Sequence, residues 1–426
     1  MALLLGTLFL FLGNGLHGLL LPVRGSAEGY SNEILGLLGT SWATGFVAGC
    51  LIAPKLVMRV GHVRAFSSFI SLIAIIALLS GILVDPYWWV ALRAVTGFCI
   101  AGTSMIIESW LNERATNESR GTIFSFYISV TLIGVVGGQM LVGIVDPSTT
   151  ILFMICGILY CLAILPTTVS TAATPQALTS VKLNLPRLYR NSPVSFVGIL
   201  LVGIANGAYG TLGAVFGARA GLTPNMIAIM LSFTIFIGAL MQFPAGKASD
   251  RTDRRYVLAA LSGVAAIAAL LLIVLRPQDA MTMIILVALY GGAANALYPI
   301  AVAHANDFAS SDEFVQVSGG LLLLYGIGTI IGPTIGGPVM TELGPHALFA
   351  VTAVAHVLLT AYAIYRSRLR AAIPYAERDN VPNMPVSASP MSTPESLSLD
   401  PRAAPLPPHA EETDSNESPV TGESRS

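Results

Sequence analysis

Charge is what this sequence has least of. Lys, Arg, Asp and Glu make up 11% of its 426 residues, against roughly 25% in an average soluble domain. That scarcity, beside 54% apolar residues, excludes a soluble enzyme and an extensively disordered chain. Cysteine is also scarce, with four in all: Cys50, Cys99, Cys156 and Cys161. Each lies inside an apolar run with no His or acid at ligand spacing. A secreted disulfide scaffold is excluded, no metal site is expected, and small buried side chains are the plain reading. No Gly-rich phosphate loop ends in Lys-Ser/Thr, so no ATP drive is encoded. No Ser/His/Asp, His-Glu-x-x-His or Cys-x-x-Cys pattern occurs, so no enzyme and no cofactor are expected.

Long apolar runs dominate instead, and the mean hydropathy is +0.73. Twelve segments are each close to the ~20 residues that cross a hydrocarbon core of about 30 Å. They fall near 2–22, 32–54, 65–84, 88–111, 121–145, 149–169, 193–215, 223–245, 256–276, 280–304, 314–340 and 346–365. Barrel strands would be half as long and alternate in polarity, so helices are expected. The first run has no basic region before it and exceeds a usual signal-peptide core, so it reads as a retained span.

The formal net charge of −1 conceals an uneven distribution. From Ala371 onward nine acids and three bases leave the tail at −6, so residues 1–370 carry +5. The tail holds ten prolines, and Tyr375 is its only aromatic. Such a segment cannot bury a core and is expected to be disordered. Fifteen Lys and Arg fall in one set of loops or after the last span, and three, Arg24, Arg219 and Arg276, in the other. The positive-inside rule then places both termini in the cytoplasm, with Tyr87, Trp88 and Trp89 at an outer aromatic belt.

The two halves resemble each other. Pro54–Gly61 aligns with Gly246–Asp253, and Asn14-Gly15 with Asn206-Gly207, both at an offset of 192. Asn112-Glu113 aligns with Asn306-Asp307 at 194, and Gly134 and Gly138 with Gly332 and Gly336 at 198. Six spans separate each pair, so both halves face the same way, as parallel repeats do. The expected organisation is an N-terminal six-helix bundle (1–169), a cytoplasmic linker (170–192), a C-terminal six-helix bundle (193–370) and the acidic tail (371–426).

Twelve spans, a parallel six-plus-six repeat and a basic central loop resemble the major facilitator superfamily over residues 1 to about 370. The sharpest element is Gly246-Lys-Ala-Ser-Asp250-Arg251-Thr-Asp253-Arg254-Arg255. It is similar to the superfamily's loop signature, with Asp253 where Gly is usual; the first-half copy has Met58 where the acid belongs. Arg93-x-x-x-Gly97 looks like the Arg-Gly motif of proton-linked members. Gly319, Gly328, Gly332-Pro333 and Gly336-Gly337 are spaced like an antiporter motif, but in the eleventh span rather than the fifth. The stretch from Gly49 to His62 resembles the YcaD-like bacterial branch.

The resemblance implies an all-α membrane fold of two pseudo-symmetric bundles, with the first, fourth, seventh and tenth helices lining a central cavity. Asn14, His17, Arg93, Asn206, Tyr209, Asn295 and Tyr298 are the candidate cavity residues. It further implies a latch on the basic side from Asp250, Arg251, Arg254 and Arg255. Arg93 inside a span defaults to a functional reading. It shares a stripe with Gly97, Ser104 and Glu108, the last also placed to pair with loop bases. His17 can titrate near neutral pH, and Asp307 closes the tenth span. Gly319, Gly328, Gly332, Pro333, Gly336 and Gly337 let helices approach closely where two bundles rock.

The expected function is secondary transport of a small solute across an inner membrane by alternating access, with protons as the coupling ion and export favoured. Few intramembrane charges suit a neutral or amphipathic substrate, while Arg93 keeps an anionic one open. The competing class is a sensor that keeps the fold without turnover. A monomer in the lipid bilayer, with a small-molecule substrate and no nucleic-acid partner, completes the expectation.

Overall fold

In the computed structural model, residues 2–116, 119–168, 184–309, 313–369 and 393–399 are described, apart from the side chains of 167, 168, 314, 315, 398 and 399. Among them every regular element is helical. The first bundle comprises α1 (Ala2–Ala27), α2 (Asn32–Val60), α3 (His62–Ile82), α4 (Pro86–Arg114), α5 (Arg120–Leu141) and α6 (Ile151–Thr168). A short α7 (Leu185–Asn191) precedes the second bundle. That bundle comprises α8 (Pro193–Arg219), α9 (Pro224–Arg251), α10 (Arg254–Leu275), α11 (Ala280–Asn295), α12 (Leu297–Asn306), α13 (Phe314–Leu343) and α14 (Leu348–Leu369). Helices α11 and α12 form one interrupted span, Ala280–Asn306. Eleven of the described helices are long and apolar enough to cross a bilayer, and the apolar part of α6, Ile151–Pro166, is a shorter twelfth.

The caps explain where these helices begin. Asp85 accepts from the backbone N–H groups of Tyr87 and Trp88, and Pro86 follows it in the first turn. Thr223, Asp253 and Asp279 cap α9, α10 and α11 in the same way. Each satisfies backbone donors that a helix start leaves without partners. Helices α2 and α9 run six residues beyond their expected ends at 54 and 245. Lys55, Arg59, Lys247 and Arg251 are good helix formers, and cations suit a helix C-terminus.

Part of the expected linker segment is helical, because Asn184 caps α7 and Leu188 is buried; residues 169–183 lie outside the described residues. Three expectations need correction. Of the aromatic trio, Tyr87 and Trp88 are exposed, but Trp89 is fully buried. Its indole N–H donates to the carbonyls of Ser80 and Leu83. Cys161 is exposed, whereas Cys99 and Cys156 are buried. Within the tail, Pro394–Leu399 forms a 3-10 turn packed on α4, α5 and α13; 370–392 and 400–426 lie outside the described residues.

Each bundle repeats the same helix pairings. α1 packs on α5 and α6 as α8 packs on α13 and α14; α2 packs on α4 as α9 packs on α11; α3 packs on α6 as α10 packs on α14. The match extends to atoms. A Cβ at Gly138 would lie 2.1 Å from the Leu12 carbonyl oxygen and 2.7 Å from the Leu16 nitrogen. At Gly332 it would lie 2.2 Å from the Ile204 carbonyl oxygen and 2.7 Å from the Ala208 nitrogen. Leu12 and Leu16 correspond to Ile204 and Ala208 at the offset of 192, so Gly138 corresponds to Gly332 at 194. Gly134, against Leu8 and Phe11, likewise corresponds to Gly328, against Leu200 and Gly203. The expected offset of 198 for these glycines is therefore one helical turn too long. Glycine steps of four recur along α13, and a four-residue slip changes little in the pattern.

Candidate functional site

The bundles meet most closely at the end away from the basic loops. There a Cβ at Gly36 would lie 2.7 Å from the Pro333 carbonyl oxygen, and one at Gly337 2.7 Å from that of Asn32. The Thr40 and Thr334 hydroxyls are 2.9 Å apart, and Arg219 donates to the Tyr30 carbonyl at 2.9 Å. Pro333 and Gly337 thus belong to the contact between bundles. Gly328, Gly332 and Gly336 pack α13 against α8 inside one bundle. The six positions assigned to one rocking contact serve two interfaces, with Gly319 on a cavity wall.

Below that seal lies a cavity of about 200 Å³, walled by both bundles. Asn14 and Asn206 face it from near the midpoints of α1 and α8. Arg93 joins them from α4, with Trp42, Gln139, Thr211 and Thr329 from α2, α5, α8 and α13. A second cavity, of about 190 Å³, continues toward the basic side. It shares Trp42, Ala43 and Thr329 with the first and is lined further on by Phe46, Cys50, Lys55, Met105, Tyr325 and Pro394.

Two glycines place Arg93. A Cβ at Gly97 would lie 2.0 Å from the Trp42 carbonyl oxygen, and one at Gly45 1.8 Å from that of Ala94. Helices α2 and α4 therefore touch backbone to backbone. One turn from Gly97, the Arg93 guanidinium sits 5.8 Å from the Trp42 ring centroid, a cation–π arrangement. The Trp42 ring in turn stacks on Phe46 at 5.2 Å. No carboxylate pairs with Arg93 among the described residues, and its buried Nη1 has no partner.

Three of the seven expected cavity residues, Asn14, Arg93 and Asn206, line the first cavity. The other four line neither one. His17 is fully buried, edge-on to Phe153. The Tyr209 hydroxyl lies 2.9 Å from that of Thr234, and its ring meets Tyr290 and Phe349. Asn295 donates to the Thr234 carbonyl at 3.5 Å. Tyr298 packs edge-on to Tyr325 at 5.1 Å, one ring behind the wall. Each is turned into its own bundle.

The expected latch is a tie within the second bundle. Buried Arg254 donates to Asp250 at 2.9 Å and to both carboxylate oxygens of Asp307 at 2.7 and 3.1 Å. It thereby joins the ends of α9 and α12 to the start of α10. Arg255 pairs with Asp253 and donates to the Arg366 carbonyl; Arg251 is exposed. Burial alone would raise the Asp253 carboxyl, but hydrogen bonds from Arg255 outweigh it and hold Asp253 below its ordinary value.

Among the described residues Glu108 has no loop base as partner. It is 1% exposed; Tyr127 donates to one carboxylate oxygen at 2.9 Å and the Thr393 hydroxyl to the other. Asn112 donates to the Glu395 carbonyl at 3.2 Å. The tail turn thus packs beside Glu108, and its Pro394 lines the second cavity.

The model of the Major Facilitator Superfamily matches residues 3–223 and again 192–398. A Yersinia pestis protein named as an uncharacterized MFS-type transporter is 28% identical over 353 residues, 82% of this chain and 91% of its own. The Shigella flexneri MFS-type transporter YcaD is 27% identical over 358 residues, covering 83% and 92%. The crystal structure of the nucleoside transporter NupG superposes with a TM-score of 0.72 at 15% identity, covering 85% of this chain and 98% of that one. A bacterial homologue of the human lysosomal transporter Spinster, inward-facing and occupied, gives 0.69 at 17% identity, covering 89% and 97%. At such identities the solved structures speak for the fold alone.

Proposed function

The chain belongs to the major facilitator superfamily and is a membrane transporter by that kinship, and we propose that it exports a small amphipathic solute by alternating access. The observation that carries this reading is the central cavity. It lies between two like-facing bundles and takes equivalent residues, Asn14 and Asn206, from each. Rocking the bundles about such a cavity exposes it to one side and then the other. The seal at Gly36, Thr40, Pro333 and Gly337 makes this the state closed away from the basic loops. We take the basic face as cytoplasmic, in a bacterial inner membrane with both chain ends inside, on the Lys and Arg asymmetry. One chain encloses the whole cavity, which supports a monomer.

Proton coupling is assigned to Glu108. It is a buried carboxyl held by neutral hydroxyls, with no cation paired to it among the described residues. Such a group can take up and release a proton without breaking an ion pair. Export is favoured because the walls facing the cytoplasm are mainly apolar, suited to a solute entering from that side.

Flux in proteoliposomes tests the reading. A pH gradient should drive solute movement in the wild type. Glu108→Gln should keep binding and exchange but lose the response to the gradient. Binding with no flux under any gradient would make the protein a sensor.

A further inference from the structure

We propose that the first cavity is a site for an organic anion: a carboxylate or similar oxyanion on an apolar body of one or two rings. This rests on the transport reading and names the substrate class for that site.

The starting point is an imbalance of hydrogen-bonding groups. The cavity wall carries a guanidinium, and no Asp or Glu lines it. Arg93 Nη1 and the Trp42 indole N–H are buried without partners. Both are donor-only groups, on residues that line one cavity and lie 5.8 Å apart from guanidinium carbon to ring centroid. A cation inside a membrane span is costly unless paired. Buried donors without acceptors are costly too. A ligand that brings acceptor oxygens and a negative charge answers both.

The rest of the wall limits the ligand's body. Gly15, Gly18, Leu19, Pro22, Leu35 and Leu38 present carbon rather than polar groups. Nothing lies within 4 Å of where a side chain would start at Gly18 or at its counterpart Gly210. The open volume of about 200 Å³ accepts a two-ring acid. The anion then lies between Arg93 and Trp42, and its rings lie toward the glycines.

A matched trio of probes tests this on the purified full-length protein in maltoside detergent: 1-naphthoate, 1-naphthamide and 1-naphthylmethylamine. They share one body and differ in charge. Naphthoate should bind about 10- to 100-fold tighter than naphthamide, the range a charge-assisted hydrogen bond sets. Arg93→Gln should erase that preference by weakening naphthoate far more than naphthamide. Arg93→Lys should keep part of it, because a point charge replaces the fork. Trp42→Phe should weaken naphthoate several-fold more than naphthamide. Equal binding of the three probes, or a preference surviving in Arg93→Gln, overturns the proposal. If Arg93→Gln does not fold, Arg93→Lys and Trp42→Phe decide on the same criterion. Displacement of naphthoate by phosphatidylglycerol would assign the site to a lipid headgroup and overturn it as stated. Charge-selective binding with no flux in proteoliposomes keeps the anion site and defeats transport; flux without charge selectivity does the reverse.

Discussion

The register of the two halves makes a quantitative prediction. Gly138→Ala places a methyl 2.1 Å from the Leu12 carbonyl oxygen, and Gly332→Ala one 2.2 Å from that of Ile204. Ordinary contact begins at 3.4 Å, so each helix pair must separate by roughly 1.2–1.3 Å or the methyl must overpack. Overpacking of this kind costs about 1–3 kcal/mol. Better helix propensity of Ala returns ~1 kcal/mol, leaving a net loss of about 0–2 kcal/mol at each site. Gly18 and Gly210 are the control pair, again 192 apart, with no atom within 4 Å of a new Cβ. There Ala keeps only the propensity gain and stabilises by up to ~1 kcal/mol. Equilibrium unfolding by SDS in mixed micelles reads all four variants. The expected order is a matched loss at 138 and 332 and no loss at 18 and 210. A loss at Gly138 without one at Gly332, or a loss at Gly18 equal to that at Gly138, would refute the shared register.

Other parts of the molecule are testable in the same preparations. Arg254→Ala removes the cation that bridges Asp250 and Asp307, and breaking a buried pair costs about 3–5 kcal/mol; unfolding midpoints unchanged from wild type would show that this tie contributes nothing to stability. Asp253→Ala removes the α10 cap and the Arg255 pair, at a cost of about 0.5–2 kcal/mol for the cap. Because folding lowers the Asp253 carboxyl, its contribution is full at neutral pH. It fades as pH falls below about 4, so the mutant and wild-type stability curves should converge there. A chain ending at Pro390 lacks the turn whose Pro394 lines the second cavity. Its Cys50, on that cavity's wall, should react several-fold faster with an impermeant maleimide, with the other cysteines replaced by Ser. An unchanged rate would mean that the turn does not shield Cys50.

The fold was legible because the membrane imposes one rule, about 20 apolar residues per span, and the runs obey it. The repeat was legible from Asn14-Gly15 and Asn206-Gly207, since paired small and polar residues in apolar runs are rare markers. The cavity was only partly legible. Asn14 and His17 are three apart, as are Asn206 and Tyr209, and that spacing leaves about 60° between side chains. The cavity takes the first of each pair, and the bundle interior takes the second. Both halves depart from expectation in the same way, as a duplicated geometry requires. Trp42, Gln139, Thr211 and Thr329 escaped notice because three of them lie on the second, fifth and eleventh spans, which were not expected to line the cavity. The close approach of α2 to α4 brings Trp42 in, and Gly45 and Gly97 were its only trace. Asp253 had a local signal that went unread: an acid just before an apolar run is a helix cap.

Alternating access is tested most directly by the side from which the first cavity can be reached. With the native cysteines replaced by Ser, a cysteine at Gly210 reports on that cavity. A second pair at Thr40 and Thr334, whose hydroxyls are 2.9 Å apart, can lock the seal as a disulfide. Oriented proteoliposomes are labelled with an impermeant maleimide from each face. Without the lock, labelling is expected from both faces; with it, from the basic face alone, and reduction should restore both. Labelling from a single face in both states, or labelling indifferent to the lock, would contradict a cavity opened by turns between two rocking bundles.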